Sequence, residues 1–228
     1  MKKALSYFSK GEIALWSSSV LLILISFLAF DRTNYLSLIA SFVGITALIF
    51  FAKGNAFGNV LMIVFSILYG VISYTFAYYG EMITYLGMTL PMAVFALISW
   101  LRNPYEGGGH EVKVGSIGKA ERVLMFLASV PVTVAFYFIL KYFGTANLLP
   151  STFSVTTSFL AAYLTFRRSP YYALAYAVND VVLIVLWALA SIESTRYISV
   201  VVCFAAFLFN DIYGFLCWQK MKARQCAQ

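Results

Sequence analysis

The stretch 170–191, PYYALAYAVNDVVLIVLWALAS, holds a single formally charged residue, Asp180, inside a run long enough to cross a lipid bilayer. About 20 residues, each rising about 1.5 Å, carry a helix across the hydrocarbon core. An ionisable side chain placed there costs about 2.5–3.5 kcal/mol on insertion scales, so it normally faces a polar cavity or a partner. A second pair of the same kind, Asn210-Asp211, sits within the apolar run 197–218. Two Asn-Asp pairs inside membrane-length segments predict a multi-pass membrane protein with an interior polar site, as in a transporter for a small polar or cationic solute.

The rest of the chain has the same character. Of its 228 residues, 62% are hydrophobic and 11% charged, against about a quarter charged in soluble domains. Eight apolar runs follow one another, roughly 13–30, 35–52, 57–78, 82–101, 122–143, 152–167, 170–191 and 197–218, the sixth being the shortest. Their hydrophobicity is continuous rather than alternating, which predicts helices and argues against a transmembrane barrel. The first run follows lysines but has no small-x-small cleavage pattern before Asp31, so it reads as a retained helix rather than a signal peptide. If eight spans alternate, Lys2, Lys3, Lys10, Lys53, Arg102, Lys113, Lys119, Arg122, Arg167, Arg168, Lys220, Lys222 and Arg224 fall on one side. The other side carries Arg32, Lys141 and Arg196, with Asp31, Glu81 and Glu193 beside them. The positive-inside rule then places both termini in the cytoplasm. The net charge of +7 is assigned to topology and not to nucleic-acid binding. Cys203, Cys217 and Cys226 have unrelated spacings that imply neither a disulfide nor a metal site.

Sliding the chain by 118 residues lays the second to fourth runs on the sixth to eighth. Val60, Val64, Leu68, Ser73, Tyr79, Leu90 and Trp100 then meet Val178, Val182, Leu186, Ser191, Tyr197, Leu208 and Trp218. Tyr69 meets Trp187, and Phe95 meets Tyr213. An odd number of spans per unit with one helix between them keeps both units in the same orientation. The expected fold is an all-α membrane protein of eight transmembrane helices, a 3+1+3 parallel-repeat bundle plus one N-terminal helix. Its parts are an N-terminal helix (1–34), a first three-helix repeat (35–101), a cytoplasmic linker and connecting helix (102–150), a second repeat (151–219) and a cytoplasmic tail (220–228). Gly107-Gly108-Gly109 lacks the setting of a phosphate loop and reads as a flexible linker.

At 3.6 residues per turn, Tyr172, Tyr176, Asn179, Asp180 and Trp187 share one stripe of the seventh span. On the eighth, Asn210, Asp211, Gly214 and Trp218 form another, flanked by Tyr213. The candidate substrate-binding residues are Asn179, Asp180, Trp187, Asn210, Asp211, Tyr176, Tyr213 and Tyr69. Pro91 supplies a flexible point, and Ser154, Thr157 and Ser158 an entrance. Each has a plainer reading: membrane asparagines often bond across helices, for about 0.6 kcal/mol, and Trp100 and Trp218 at span ends read as interfacial anchors. No nucleophile elbow, H-E-x-x-H helix or nucleotide-binding motif is present, so neither an enzyme nor direct ATP energisation is expected.

Three groups of residues carry a family resemblance over 35–218. One is Arg167-Arg168-Ser169-Pro170-Tyr171-Tyr172, leading to Tyr176-Ala177-Val178-Asn179-Asp180 and Trp187. Another is Asn210-Asp211-Ile212-Tyr213-Gly214 with Trp218, and the last is Lys53-Gly54-Asn55 with Gly58-Asn59 and Tyr69. Together they resemble the PnuC family of nicotinamide riboside transporters, which share a fold with the SWEET sugar transporters. Many members have a tryptophan pair where this chain has Tyr172 and Tyr176. The resemblance implies facilitated diffusion of nicotinamide riboside, a vitamin B3 nucleoside, by alternating access, with cytoplasmic phosphorylation trapping the product. It further implies a homo-oligomer such as a trimer in a bacterial inner membrane, and no cofactor. A pyridinium cation suits a site of carboxylates and aromatic faces. Thiamine, also a cation, is the alternative substrate, and a substrate-binding subunit of an energised vitamin importer is the alternative class.

Overall fold

The computed structural model describes residues 7–76, 78–107 and 109–227. Lys2 and Lys3, used above for orientation, and Gly108 of the linker lie outside the described residues. Among the described residues, eight long helices follow one another: α1 (Lys10–Phe30), α2 (Tyr35–Ala52), α3 (Phe57–Thr75), α4 (Tyr79–Leu101), α5 (Lys119–Tyr142), α6 (Leu148–Phe166), α7 (Tyr172–Ser191) and α8 (Ile198–Cys226). Seven of them, all but α6, are long and apolar enough to cross a membrane. Hydroxyls set α6 apart, and many turn back onto its own backbone: Thr152 donates to the Leu148 carbonyl and Thr165 to that of Ala161, both at 2.8 Å. Such bonds satisfy a hydroxyl within the helix.

Local chemistry explains several boundaries. Ser9 caps α1 by accepting the Glu12 N–H at 3.2 Å, while the Glu12 carboxylate accepts the Ser9 N–H at 2.7 Å, a reciprocal capping box. Asn34 caps α2 by accepting the Ser37 N–H at 3.0 Å. The fourth helix starts at Tyr79, ahead of the expected 82, and holds a π turn over Tyr85–Thr89 just before Pro91. The sixth starts at Leu148, not 152, and the eighth continues to Cys226, so most of the stretch read as a tail is helical.

Six helices pack in a closed ring, α2 on α3, α3 on α4, α4 on α6, α6 on α7, α7 on α8 and α8 on α2. Outside the ring, α1 packs on α2 and α8, and α5 on α6. Between its charged ends, α5 exposes a run of apolar side chains, among them Val123, Leu127, Val130, Val134 and Phe138.

Beyond residues 107–109, the connection after α4 bridges the ring instead of hanging free. The Val112 N–H donates to the Gly54 carbonyl, and the Gly115 N–H to that of Arg168, both at 2.9 Å. Gly54 and Arg168 occupy equivalent places, each two residues beyond its helix, α2 or α6, and each left-handed, at φ 64° and 55°. That conformation is free for glycine but costs roughly 1–2 kcal/mol for arginine. Gln225 at the end of α8 grips the same connection, accepting the Val114 N–H at 2.8 Å and donating to the Val112 carbonyl at 3.1 Å. The end of the bundle that carries this connection is called the linker end below.

Trp100 and Trp218 also depart from expectation. They are not interfacial anchors but fully buried, with ring centroids 5.3 Å apart. Trp100 donates to the Thr165 carbonyl on α6 at 2.8 Å, and Trp218 to the Phe51 carbonyl on α2 at 2.7 Å. Asp31 and Glu81, expected in exposed connections, are buried as well.

Candidate functional site

A cavity of about 30 Å³ lies at the centre of the ring. It is lined by one or more residues from each of the six ring helices and by none from α1 or α5. One side is apolar, built from Leu48 on α2, Met62 and Phe65 on α3, and Phe204 and Phe207 on α8. Gly44 makes room for this wall, because a Cβ there would run into the Phe207 ring. The other side is polar, with Tyr85 and Thr89 from α4, Ser158 from α6, Tyr176, Asn179 and Asp180 from α7, and Asp211 from α8.

Each polar group is held differently. The Asn179 side-chain oxygen accepts from Thr157 at 2.7 Å and from Ser158 at 3.0 Å, which leaves the amide N–H groups as donors. Tyr176 stands close to Thr165 on α6. The carboxyl groups of Asp180 and Asp211 both line the cavity and lie close enough to interact with each other. Two neighbouring buried carboxylates repel each other, which favours one negative charge on the pair over two. Asp180 Oδ2 and Thr89 Oγ1 are buried without a partner. Unmatched buried polar atoms cost about 1–3 kcal/mol each, and here two of them line one cavity.

Of the eight residues singled out in the sequence, Tyr176, Asn179, Asp180 and Asp211 therefore meet at the cavity. Trp187 and Tyr69 lie one layer away from the linker end, joined by a 2.8 Å hydrogen bond from the indole N–H to the phenol oxygen. Tyr69 reaches the cavity layer through Tyr85, its ring centroid 4.3 Å away. Asn210 faces α1, where it donates to Ser19 at 2.9 Å. Tyr213 faces the start of α1, close to Ser9 and Cys217. Of the three residues read as an entrance, Thr157 and Ser158 orient Asn179. Ser154 donates instead to Glu81 at 3.0 Å.

Tyr85, Thr89 and Glu81 are what sequence reasoning missed. A helical wheel for 82–101 assumes 3.6 residues per turn, and the π turn changes that register within Tyr85–Thr89. Such turns are frequent at functional sites, and Pro91, which lacks the N–H of a regular ladder, was the available signal. Among the described residues, no group of three or more His, Cys, Asp or Glu could hold a metal ion.

The nicotinamide mononucleotide transporter family model matches residues 34–220. The nicotinamide riboside transporter PnuC of Neisseria mucosa is 26% identical over 203 residues, covering 87% of this chain and 77% of that protein. A crystal structure of the vitamin B3 transporter PnuC shares the fold, with a TM-score of 0.83 at 23% identity, covering 96% of this chain and 94% of the other. Every cavity residue, from Leu48 to Asp211, falls inside the segment that the family model matches, and the chain belongs to the nicotinamide mononucleotide transporter (PnuC) family.

Proposed function

We propose that this protein carries nicotinamide riboside across the membrane by facilitated diffusion, with Asp180, Asp211, Asn179, Tyr176, Tyr85 and Thr89 forming the binding site. The observation that carries the reading is the acid pair, buried with an unpartnered oxygen beside aromatic rings. A permanent pyridinium cation matches its charge, each desolvated cation–π contact contributing up to about 2 kcal/mol. Asn179 and Thr89 offer partners for ribose hydroxyls. The same observation favours the nucleoside over its phosphate ester. No Lys or Arg lines the cavity, and a phosphate set against carboxylates would be repelled.

The cavity of about 30 Å³ holds one water, whereas a small-molecule site spans roughly 300 Å³ or more. We read the closed ring as the occluded stage of an alternating-access cycle. In this reading α6 is an eighth span that trades hydropathy for the hydroxyls it brings to the site. The helices α2–α4 and α6–α8 are then parallel repeats joined by α5, in the manner of the SWEET fold, with α1 added. Lys53, Lys113, Arg167, Arg168 and Lys220, all at the linker end, support placing that end and both termini in the cytoplasm of a bacterial inner membrane. The apolar outer face of α5 is where lipid and the other protomers of a trimer are placed. Trp187 and Tyr69 act one layer out, while Asn210 and Tyr213 fasten α1 rather than touch substrate.

The test is uptake by the purified chain in liposomes, comparing nicotinamide riboside with its mononucleotide, thiamine and riboflavin, with and without a proton gradient. Because the pair carries one charge, a single Asp→Asn change keeps it, and only the double variant D180N/D211N removes it. The double variant is expected to lose roughly ten- to a hundredfold in affinity for the cation and little for the reduced, uncharged form of the same nucleoside. Equal uptake of the mononucleotide, or an unchanged ratio between the two ring forms in the double variant, would sink the reading.

A further inference from the structure

Away from the linker end, one layer beyond the cavity, lies an acid that the proposed site does not use. Glu81 sits in the first turns of α4 and is completely buried, at 0% exposure. Oε1 accepts a single bond, from Ser154 on α6, and Oε2 has no partner. The ion pairs found among the described residues are Lys53 with Glu12, Arg167 with Glu121 and Arg224 with Glu111, none of which involves Glu81. The Glu81 carboxyl lies within electrostatic reach of the phenols of Tyr69 and Tyr85. Tyr85 lines the central cavity. On the far side, Thr145 stands against Gly80, and its hydroxyl is also buried without a partner.

A carboxylate removed from water without a counter-charge is costly to the fold. A residue of this kind inside a membrane bundle marks a substrate or ion path more often than a scaffold contact. We infer that Glu81 is a second binding station for the cationic substrate, between the central cavity and the membrane face remote from the linker end. It rests on the reading of the substrate as a cation. The substrate meets a free carboxylate oxygen within electrostatic reach of the Tyr69 and Tyr85 phenols, then passes Tyr85 to reach the Asp180–Asp211 pair. Two stations in series, each of modest strength, let a cation enter without being trapped.

Glutamine discriminates between the alternatives, because it has nearly the shape and hydrogen-bonding capacity of a neutral glutamic acid. The experiment measures initial uptake of nicotinamide riboside and of its reduced, uncharged form by wild-type, E81Q and E81D proteins in liposomes, with thermal unfolding as a check on folding. The expected result is a roughly tenfold rise in KM for the cation in E81Q, an unchanged KM for the neutral form, and partial recovery of the cation KM in E81D. If E81Q matches wild type on both substrates, or impairs both alike, Glu81 is a hydrogen-bonded scaffold residue and the inference fails while the transport reading stands. If the wild-type protein takes up neither form, the transport reading fails and this inference goes with it.

Discussion

The two ends of the helical ring are fastened by different chemistry. At the linker end, alongside side-chain pairs such as Arg168 with Ser99, five cross-connections terminate on backbone carbonyls: Trp100 on Thr165, Trp218 on Phe51, Ser99 on Phe166, Val112 on Gly54 and Gly115 on Arg168. At the other end, side chains meet side chains, Trp187 with Tyr69 and Ser154 with Glu81, within a cluster of rings from Phe76, Tyr78 and Tyr197. A carbonyl at a helix end cannot move without its helix, whereas a phenol or a carboxylate can swing by changing rotamer. The linker end is therefore the stiffer closure, and the opposite end should open at lower cost.

The strongest way to break this comparison is to remove the tryptophan pair. Trp100→Ala or Trp218→Ala should cost about 3–5 kcal/mol by thermal unfolding, as buried aromatic truncations do. In a background without native cysteines, a cysteine at Thr89 should then react faster with a reagent added from the linker side. Trp→Phe should be milder, near 1 kcal/mol, because the Thr165 and Phe51 carbonyls still accept backbone bonds from Arg168 and Gly54, both at 2.9 Å. Faster labelling from the opposite side instead would reverse the assignment of the stiff end.

Next in size is Gly115→Ala. A Cβ at Gly115 would collide with the Arg167 carbonyl, so the connection must lift off Arg168. Overpacking of this kind costs about 1–3 kcal/mol, and here it should also raise linker-side labelling. At the other end, Tyr69→Phe or Trp187→Phe should lose only about 0.6 to 1.7 kcal/mol. Labelling should rise from the opposite side alone. Smallest of all is Arg224→Ala, which removes the pair with Glu111 at side-chain exposures of 53% and 28%. Partly exposed pairs contribute about 0.2–1 kcal/mol, so any effect should fade as salt is raised.

Legibility in the sequence followed the range of the interaction that decides each feature. Helices were readable because a membrane-length apolar run has one main solution in lipid, and Asn179, Asp180 and Asp211 stood out because ionisable or amide groups are rare there. Tyr176 shares the stripe of Asn179 on a regular helix and was found with it. Tyr85 and Thr89 escaped because the π turn around them breaks the 3.6-residue register. Trp100 and Trp218 were misjudged because position near a span end says nothing about what faces the ring. Two such tryptophans turned toward each other form a buried core contact instead of an anchor.

By itself the sequence determined that this is a multi-pass helical membrane protein with acids in its interior, because hydropathy and charge act residue by residue against lipid. Only the tertiary structure decided that Asp180 and Asp211 meet at one cavity, that Asn210 turns to Ser19 on α1, and that Glu81 is buried beside Ser154. Those outcomes depend on the rotation of each helix about its axis and on which helices become neighbours. Both are set by packing between residues as much as 191 positions apart, as for Asn210 and Ser19, and no local pattern encodes them.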